Sequence, residues 1–179
     1  MAKRSNYERK PRDWYKTPFE AVKPLVGLLP PLTFCEPCAG DGRLAVHIED
    51  LIPGSLCIYA LDIEPQADWV LQGNALAMTG ESVDHCQMII TNPPFTWRLL
   101  KPMMDLWINL KPTLLLLPAD MMHNQRFAPY LSKCVWVKSV GRVKWIEDNK
   151  VSGMDNFCWM LFDNNKDVGE PTQFYGRTV

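Results

Sequence analysis

The run Leu32-Thr33-Phe34-Cys35-Glu36-Pro37-Cys38-Ala39-Gly40-Asp41-Gly42-Arg43-Leu44-Ala45 carries the architecture of this chain. Leu32 to Cys35 is a short apolar segment that enters a glycine-rich turn, Ala39 to Gly42, and helical spacing follows through Leu44, Ile48 and Leu51. A second apolar run, Leu56 to Leu61, ends on Asp62. Strand, glycine turn, helix, strand and acid in that order make the mononucleotide-binding half of a doubly wound α/β sheet. Gly40 and Gly42 can take positive φ and raise no side-chain wall, so the backbone there can approach a ligand closely. Asp62, about 20 residues on, is placed to accept hydrogen bonds from ribose hydroxyls. Gly40-x-Gly42-x-x-Ala45 also satisfies a dinucleotide fingerprint, so this stretch alone leaves a nicotinamide site and a purely structural turn open.

On either side of that unit the pattern continues. Phe19, Val22, Leu25, Val26 and Leu29 recur at three- and four-residue steps and predict one helix, stopped by Pro30-Pro31. Met88–Ile90, Leu114–Leu117, Val135–Val137, Val143–Ile146 and Phe157–Phe162 are further strand candidates, with helices expected over Trp97–Leu110 and Ala119–Leu131. Residues 1–13 are polar, carry Pro11 and lack periodicity, which predicts a flexible basic arm. Residues 14–163 then form a single domain, and 164–179 are expected to be a loosely ordered tail.

With 179 residues and 47% hydrophobic content, one core is the expectation. The net charge of −1 excludes coating of nucleic acid by overall positive charge. Polyanion contact would have to be local, from the arm (Lys3, Arg4, Arg9, Lys10, Arg12, Lys16) or from Lys133, Lys138, Arg142, Lys144 and Lys150; the plainer reading of both sets is solvated surface. No apolar run reaches the roughly 20 residues of a membrane span and no secretion signal opens the chain, so a cytoplasmic protein without membrane contact is expected. The six cysteines read as reduced thiols; Cys35-x-x-Cys38 lacks the second pair a zinc site needs, so no metal is expected.

Chemistry enters at Thr91-Asn92-Pro93-Pro94-Phe95, directly after the apolar run Met88–Ile90. In open α/β sheets ligands bind at such carboxyl ends. Two successive prolines fix φ and remove two donors, so the neighbouring carbonyls are rigidly aimed. An amino group on an aromatic base is a poor nucleophile because its lone pair is delocalised into the ring. The Asn92 side-chain oxygen and the Pro93 carbonyl can accept its two protons and draw that lone pair back, while Phe95 stacks on the base. Such stacking is worth about 1–3 kcal/mol, comparable to the cost of flipping a nucleotide.

Taken together, these segments resemble the Asn-Pro-Pro-(Tyr/Phe) methyltransferases, in particular the gamma-ordered N6-adenine DNA methyltransferases. Tyr15-Lys16-Thr17-Pro18-Phe19 is similar to that family's first motif and Phe34 to Gly42 to its second; Leu61-Asp62-Ile63, Gly73-Asn74-Ala75-Leu76 and Thr91 to Phe95 follow in order. The resemblance implies a Rossmann-like class I fold with a mostly parallel seven-stranded sheet, helices on both faces and an antiparallel last strand. It implies S-adenosyl-L-methionine as cofactor, held by Tyr15, Thr17, Pro18, Glu36, Cys38, Ala39, Gly40, Gly42, Asp62, Ile63, Asn74, Ala75 and Asn92. Catalysis falls to Asn92, Pro93, Pro94 and Phe95. Gly141-Arg142-Val143-Lys144-Trp145-Ile146 resembles the late aromatic motif, so Trp145 is expected to face Phe95 across a flipped base, with Arg142 and Lys144 beside it.

Motif order favours adenine in DNA over adenine in RNA and over a protein glutamine amide, all of which offer a conjugated planar nitrogen. A silent scaffold subunit is the rival from another class; the intact Asn92 to Phe95 speaks against it. The chain leaves no block for a target-recognition domain, which predicts either a short context read by loops and arm or a substrate presented by a partner or a second copy. Compact methylases of this build suggest a phage or mobile-element setting.

Overall fold

The computed structural model describes residues 15–145, 153, 155–167 and 169–177. The expected arm, residues 1–13, lies outside them, as do Ile146 and Lys150. The sheet consists of β1 (Thr33–Glu36), β2 (Leu56–Asp62), β3 (Leu71–Gln72), β4 (Met88–Thr91), β5 (Thr113–Pro118), β6 (Cys134–Arg142), β7 (Asn156–Phe162) and β8 (Gln173–Tyr175). Their spatial order is β3-β2-β1-β4-β5-β7-β6-β8, and every neighbouring pair is parallel except the two made by β7. The chain moves outward from β1 to β3, then returns to lay β4 on the other side of β1. That reversal opens a crevice at the carboxyl ends of β1 and β4.

Two-residue alternation splits the core between the faces of the sheet. Ile89, Leu115, Leu117 and Met160 pack with Leu100, Met104 and Trp107 of α3 (Trp97–Leu110) on one face. Ile90, Leu114, Leu116 and Trp159 pack on the other with Ala21 and Val22 of α1 (Phe19–Val22) and with Leu44, Ala45 and Ile48 of α2 (Arg43–Leu51). Buried indoles fasten both sides: Trp159 Nε1 donates to Ala21 O at 2.7 Å and Trp107 Nε1 to Ala75 O at 3.3 Å. Each bond satisfies a buried donor and brings a loop of the crevice, one before α1 and one around Asn74, to a fixed place. Among the described residues no helix is long and apolar enough to cross a membrane.

The sheet departs from expectation in four places. It has eight strands among the described residues, and the antiparallel one is β7, inserted between β5 and β6, rather than the last. Val143–Trp145 is not a strand; Val143 and Trp145 are buried, and among the described residues the backbone partner there is Gly153, whose N–H donates to Val143 O. The tail from 164 is not loose throughout. Gln173–Tyr175 adds as an edge strand to β6, with Thr172 Oγ1 donating to Cys134 O at 2.7 Å and the Tyr175 ring against Trp136. Its three residues are too few to show periodicity in sequence, as are the two of β3.

Two expected helices are broken. Phe19–Leu29 yields only α1 and a 3-10 turn at Lys23–Leu25, because Pro24 has no N–H for a longer ladder. Ala119–Leu131 divides into 3-10 turns at Ala119–His123 and Gln125–Phe127 before α4 (Ala128–Leu131). Asn124 Nδ2 bonds Asp120 O at 3.1 Å and so competes for carbonyls a continuous helix would use.

Candidate active site

A cavity of about 580 Å³ lies over the carboxyl ends of β1, β2 and β4. The turn after β1 forms its wall and is stitched to the exit of β2. Gly40, at φ 57°, donates its N–H to Asp62 Oδ2 at 2.8 Å, and its carbonyl accepts from Gln66 N at 2.8 Å. Ala39 N–H reaches Leu61 O at 2.9 Å. Asp62 Oδ1 accepts from Glu64 N at 2.8 Å, so each carboxylate oxygen has one backbone partner and a further lone pair for a ligand hydroxyl.

Glu36, at the end of β1, is 1% exposed and lines the cavity; its Oε2 accepts from Ala45 N at 3.2 Å. Burial pushes its carboxyl well above the usual range, the Ala45 bond opposes this, and the charges of Asp41 and Asp62 add to the rise. A carboxyl so placed gains from a cation brought into the cavity. Asp41 is occupied by Arg43 Nε at 3.1 Å and Lys16 Nζ at 3.5 Å. The Cys38 thiol is pushed up by burial and by the neighbouring Asp62 and Glu36 charges, which keeps it uncharged at neutral pH.

Asn92 follows β4 and lines the same cavity. Its Nδ2 donates to Thr17 Oγ1 at 3.1 Å, a contact across 75 residues of chain that fixes the amide. Its Oδ1 is buried and has no hydrogen-bond partner among the described residues. An orphaned acceptor of this kind costs about 1–3 kcal/mol, so a ligand N–H that fills it recovers that cost.

Of the residues expected to touch the cofactor, Tyr15, Thr17, Glu36, Cys38, Ala39, Gly40, Asp62, Ile63, Asn74, Ala75 and Asn92 line the cavity, and Pro18 and Gly42 do not. Gly42, at φ 75°, instead accommodates Trp69; a Cβ there would lie 1.9 Å from the indole. Asn74 Oδ1 caps the following turn by accepting from Leu76 N at 3.0 Å.

In the motif after β4, Pro94 lines the cavity, Pro93 is buried and Phe95 is half-buried outside it. The Phe95 ring meets Phe157 at 5.6 Å, Phe157 meets Trp145 at 4.9 Å, and Trp145 meets Tyr15 at 6.1 Å. Phe95 and Trp145 are thus linked through a shared neighbour. Phe157 touches both rings, and Trp145 is only 8% exposed. Arg142 and Lys144 are exposed at and beyond the end of β6 and do not line the cavity.

Sequence reasoning missed Phe157, which pairs with Pro118 at the carboxyl end of β5, and it missed Leu99 and Met103 on the cavity wall. The last two were accessible, since they stand four apart on the helix that begins just after Phe95.

No protein-family model matches the chain, and no curated protein does. Solved structures do. A protein provisionally named as the modification subunit of a type I restriction enzyme from Vibrio vulnificus superposes with TM-score 0.63 at 13% identity, over 93% of this chain and 47% of its own. One provisionally named as an RNA methyltransferase from Pyrococcus horikoshii gives TM-score 0.62 at 11% identity, over 90% of this chain and 93% of its own. One provisionally named as a class I S-adenosylmethionine-dependent methyltransferase from Listeria monocytogenes gives 0.57 at 11% identity, over 90% and 63%.

The fold is that of the class I methyltransferases. This chain spans about half the length of the restriction-enzyme subunit. Within the class I methyltransferase fold, the cavity occupies the switch point of the sheet, and Asn92 is delivered to it by the strand next to β1.

Proposed function

We propose that this chain is an S-adenosylmethionine-dependent methyltransferase acting on the N6 amino group of adenine in nucleic acid, with DNA as the substrate. The carrying observation is the buried, unpartnered Asn92 Oδ1 beside a cavity walled by Gly40, Asp62 and Glu36. The names of the structural neighbours, a restriction-enzyme modification subunit and methyltransferases, agree with it.

The cavity suits the cofactor. Its volume falls within the range of about 300–1,000 Å³ usual for small-molecule sites. Asp62 offers lone pairs to ribose hydroxyls, Ile63 and Ala75 offer apolar surface to an adenine ring, Asn74 a polar edge, and Glu36 a carboxyl for an ammonium group near Thr17 and Tyr15. Bound there, S-adenosylmethionine supplies an electrophilic methyl group.

The residues of the chain prepare the nucleophile. Asn92 Oδ1 and the Pro93 carbonyl accept the two amino protons of the target base, which localises the nitrogen lone pair. Thr17 holds the amide so that little reorganisation is needed when the base arrives. Phe95 supplies a stacking surface, and Phe157 with Trp145 backs it. No strong base is required, because the nitrogen becomes more acidic as it gives up its lone pair, so positioning supplies most of the rate.

A tritiated-methyl transfer assay offering duplex DNA, single-stranded DNA, RNA and protein tests this. Label in adenine of DNA is expected; label confined to protein overturns it. Thermal shift is expected with S-adenosylhomocysteine, and stabilisation by NADH alone would reverse the cofactor assignment.

A further inference from the structure

The carboxyl edge of the sheet is charged unevenly. Over β1 and β2 it is acidic on balance: Asp41, Asp62 and Glu64 line the cavity and Asp68 is exposed beside it, against Lys16 and Arg43, both paired with Asp41. Beyond Phe95 the sign changes. Arg98 lies in the first turn of α3, and the Arg126 guanidinium sits 4.9 Å from the centre of the Trp97 ring. Because β5, β6 and β8 share a direction, Arg142 at the end of β6, Lys144 just past it and Arg177 just past β8 reach this same edge.

All five cations are exposed, and among the described residues none is ion-paired with a carboxylate. Among the described residues, Asp120 and Asp155 are the carboxylates found with these five cations. Lys133 and Lys138, grouped with Arg142 on sequence alone, do not belong to this edge. Lys133 precedes β6 at the opposite end of the sheet, and Lys138 Nζ is used in donating to Gly176 O at 2.8 Å.

Arg177 lies over the backbone of Gly141. Gly141, at φ 89°, leaves bare backbone at the end of β6, and the guanidinium lies across it, 3.2 Å from where a Cβ would stand. The Lys138 bond and the pairing of Tyr175 with Lys138 anchor the strand immediately before it.

From β4 to β8 is four strand spacings, about 19 Å at roughly 4.8 Å each, which matches about five or six nucleotides of one strand of a duplex. The row starts beside Phe95, and Trp97 adds a partly exposed ring within it.

We propose that this edge, from Arg98 and Arg126 to Arg177, is the track for a nucleic-acid backbone, and that β8 exists in this chain to deliver Arg177 as its far phosphate contact. The inference rests on the reading of the chain as a nucleic-acid methyltransferase and adds where the polyanion lies.

The test is fluorescence anisotropy with a labelled adenine-containing 12-mer, single-stranded and duplex, across a salt series, with calorimetry of S-adenosylhomocysteine in parallel. Arg177→Gln and Arg98→Gln are each expected to weaken binding several-fold at low salt. Each should also flatten the plot of log affinity against log salt by about 0.7 for the single strand and about 0.9 for the duplex. Lys144→Gln, outside the sheet ladder, carries the same expectation and serves if Arg177→Gln loosens β8. Lys133→Gln should change neither quantity.

Slopes unchanged in Arg177→Gln, Arg98→Gln and Lys144→Gln, or shifted equally by Lys133→Gln, overturn the track. So does a poly-glutamate chain that binds with this variant dependence while the oligonucleotides do not bind. Absence of S-adenosylhomocysteine binding by the unaltered protein brings down the methyltransferase reading instead, so the two failures are separable.

Discussion

The part of the sheet built on β1, β2 and β4 and the part built on β5 to β8 end at the same edge but are made differently. The first presents backbone and carboxylates: the Gly40 turn, Asp62, Glu36 and the Asn92 amide, each within a few residues of a strand end. The second presents rings and cations: Phe157, Trp145, Arg142 and Arg177, brought together by an inserted antiparallel strand and an edge strand. Short-range constraints build the first region and long-range packing builds the second. The first is therefore where a pattern in sequence translates directly into a site.

The sharpest challenge to that contrast is Trp145. Buried against Phe157 and Tyr15, it should behave as core, so Trp145→Ala is expected to cost about 3–5 kcal/mol in urea unfolding while Trp145→Phe keeps most stability and activity. Intact stability with lost methyl transfer would instead return Trp145 to the target base. Next in size, Asn92→Ala should lower turnover by about 10²–10³-fold with S-adenosylhomocysteine binding retained in calorimetry. Unaltered turnover there would leave the orphaned oxygen without a role.

Asp62→Ala removes the partner of two backbone N–H groups and the proposed ribose acceptor. S-adenosylhomocysteine affinity is expected to drop by about 10–100-fold, corresponding to roughly 1.5–3 kcal/mol. An unchanged affinity would mean that the cavity is not built around that carboxylate.

A pH-dependent effect concerns Glu36. Burial raises its carboxyl above the ordinary value of 4.5, so the folded chain holds a proton that the unfolded chain releases. Its contribution is therefore fully present below pH 4.5 and declines, by about 1.4 kcal/mol per pH unit, as pH rises toward the elevated value. Glu36→Gln, which does not ionise, should gain thermal stability relative to the parent at pH 8 but not at pH 4. Parallel melting curves for the two proteins would show that Glu36 ionises in the folded state as freely as in water.

Much of the first region was legible because its signals are local. Glycines at 40 and 42, an acid closing β2 and the paired prolines after β4 constrain backbone within a few residues, and α3 spans the expected Trp97–Leu110. Even there, Gly42 proved to make room for Trp69, a contact from 27 positions away that no turn signature encodes. The helix expected at Phe19–Leu29 failed for a local reason in plain view, Pro24, whereas β3 and β8 were too short to carry any period.

By itself, the sequence determined that this chain would wind an α/β sheet with a ligand crevice beside Asp62 and Asn92, because strand, turn and helix preferences act between neighbours along the chain. Only the tertiary structure decided that Thr17 would hold the Asn92 amide, that Phe157 would touch both Phe95 and Trp145, and that Arg177 would lie across Gly141. Those contacts join positions far apart in the chain, and they arise only when burial of the two faces of the sheet fixes which strands become neighbours.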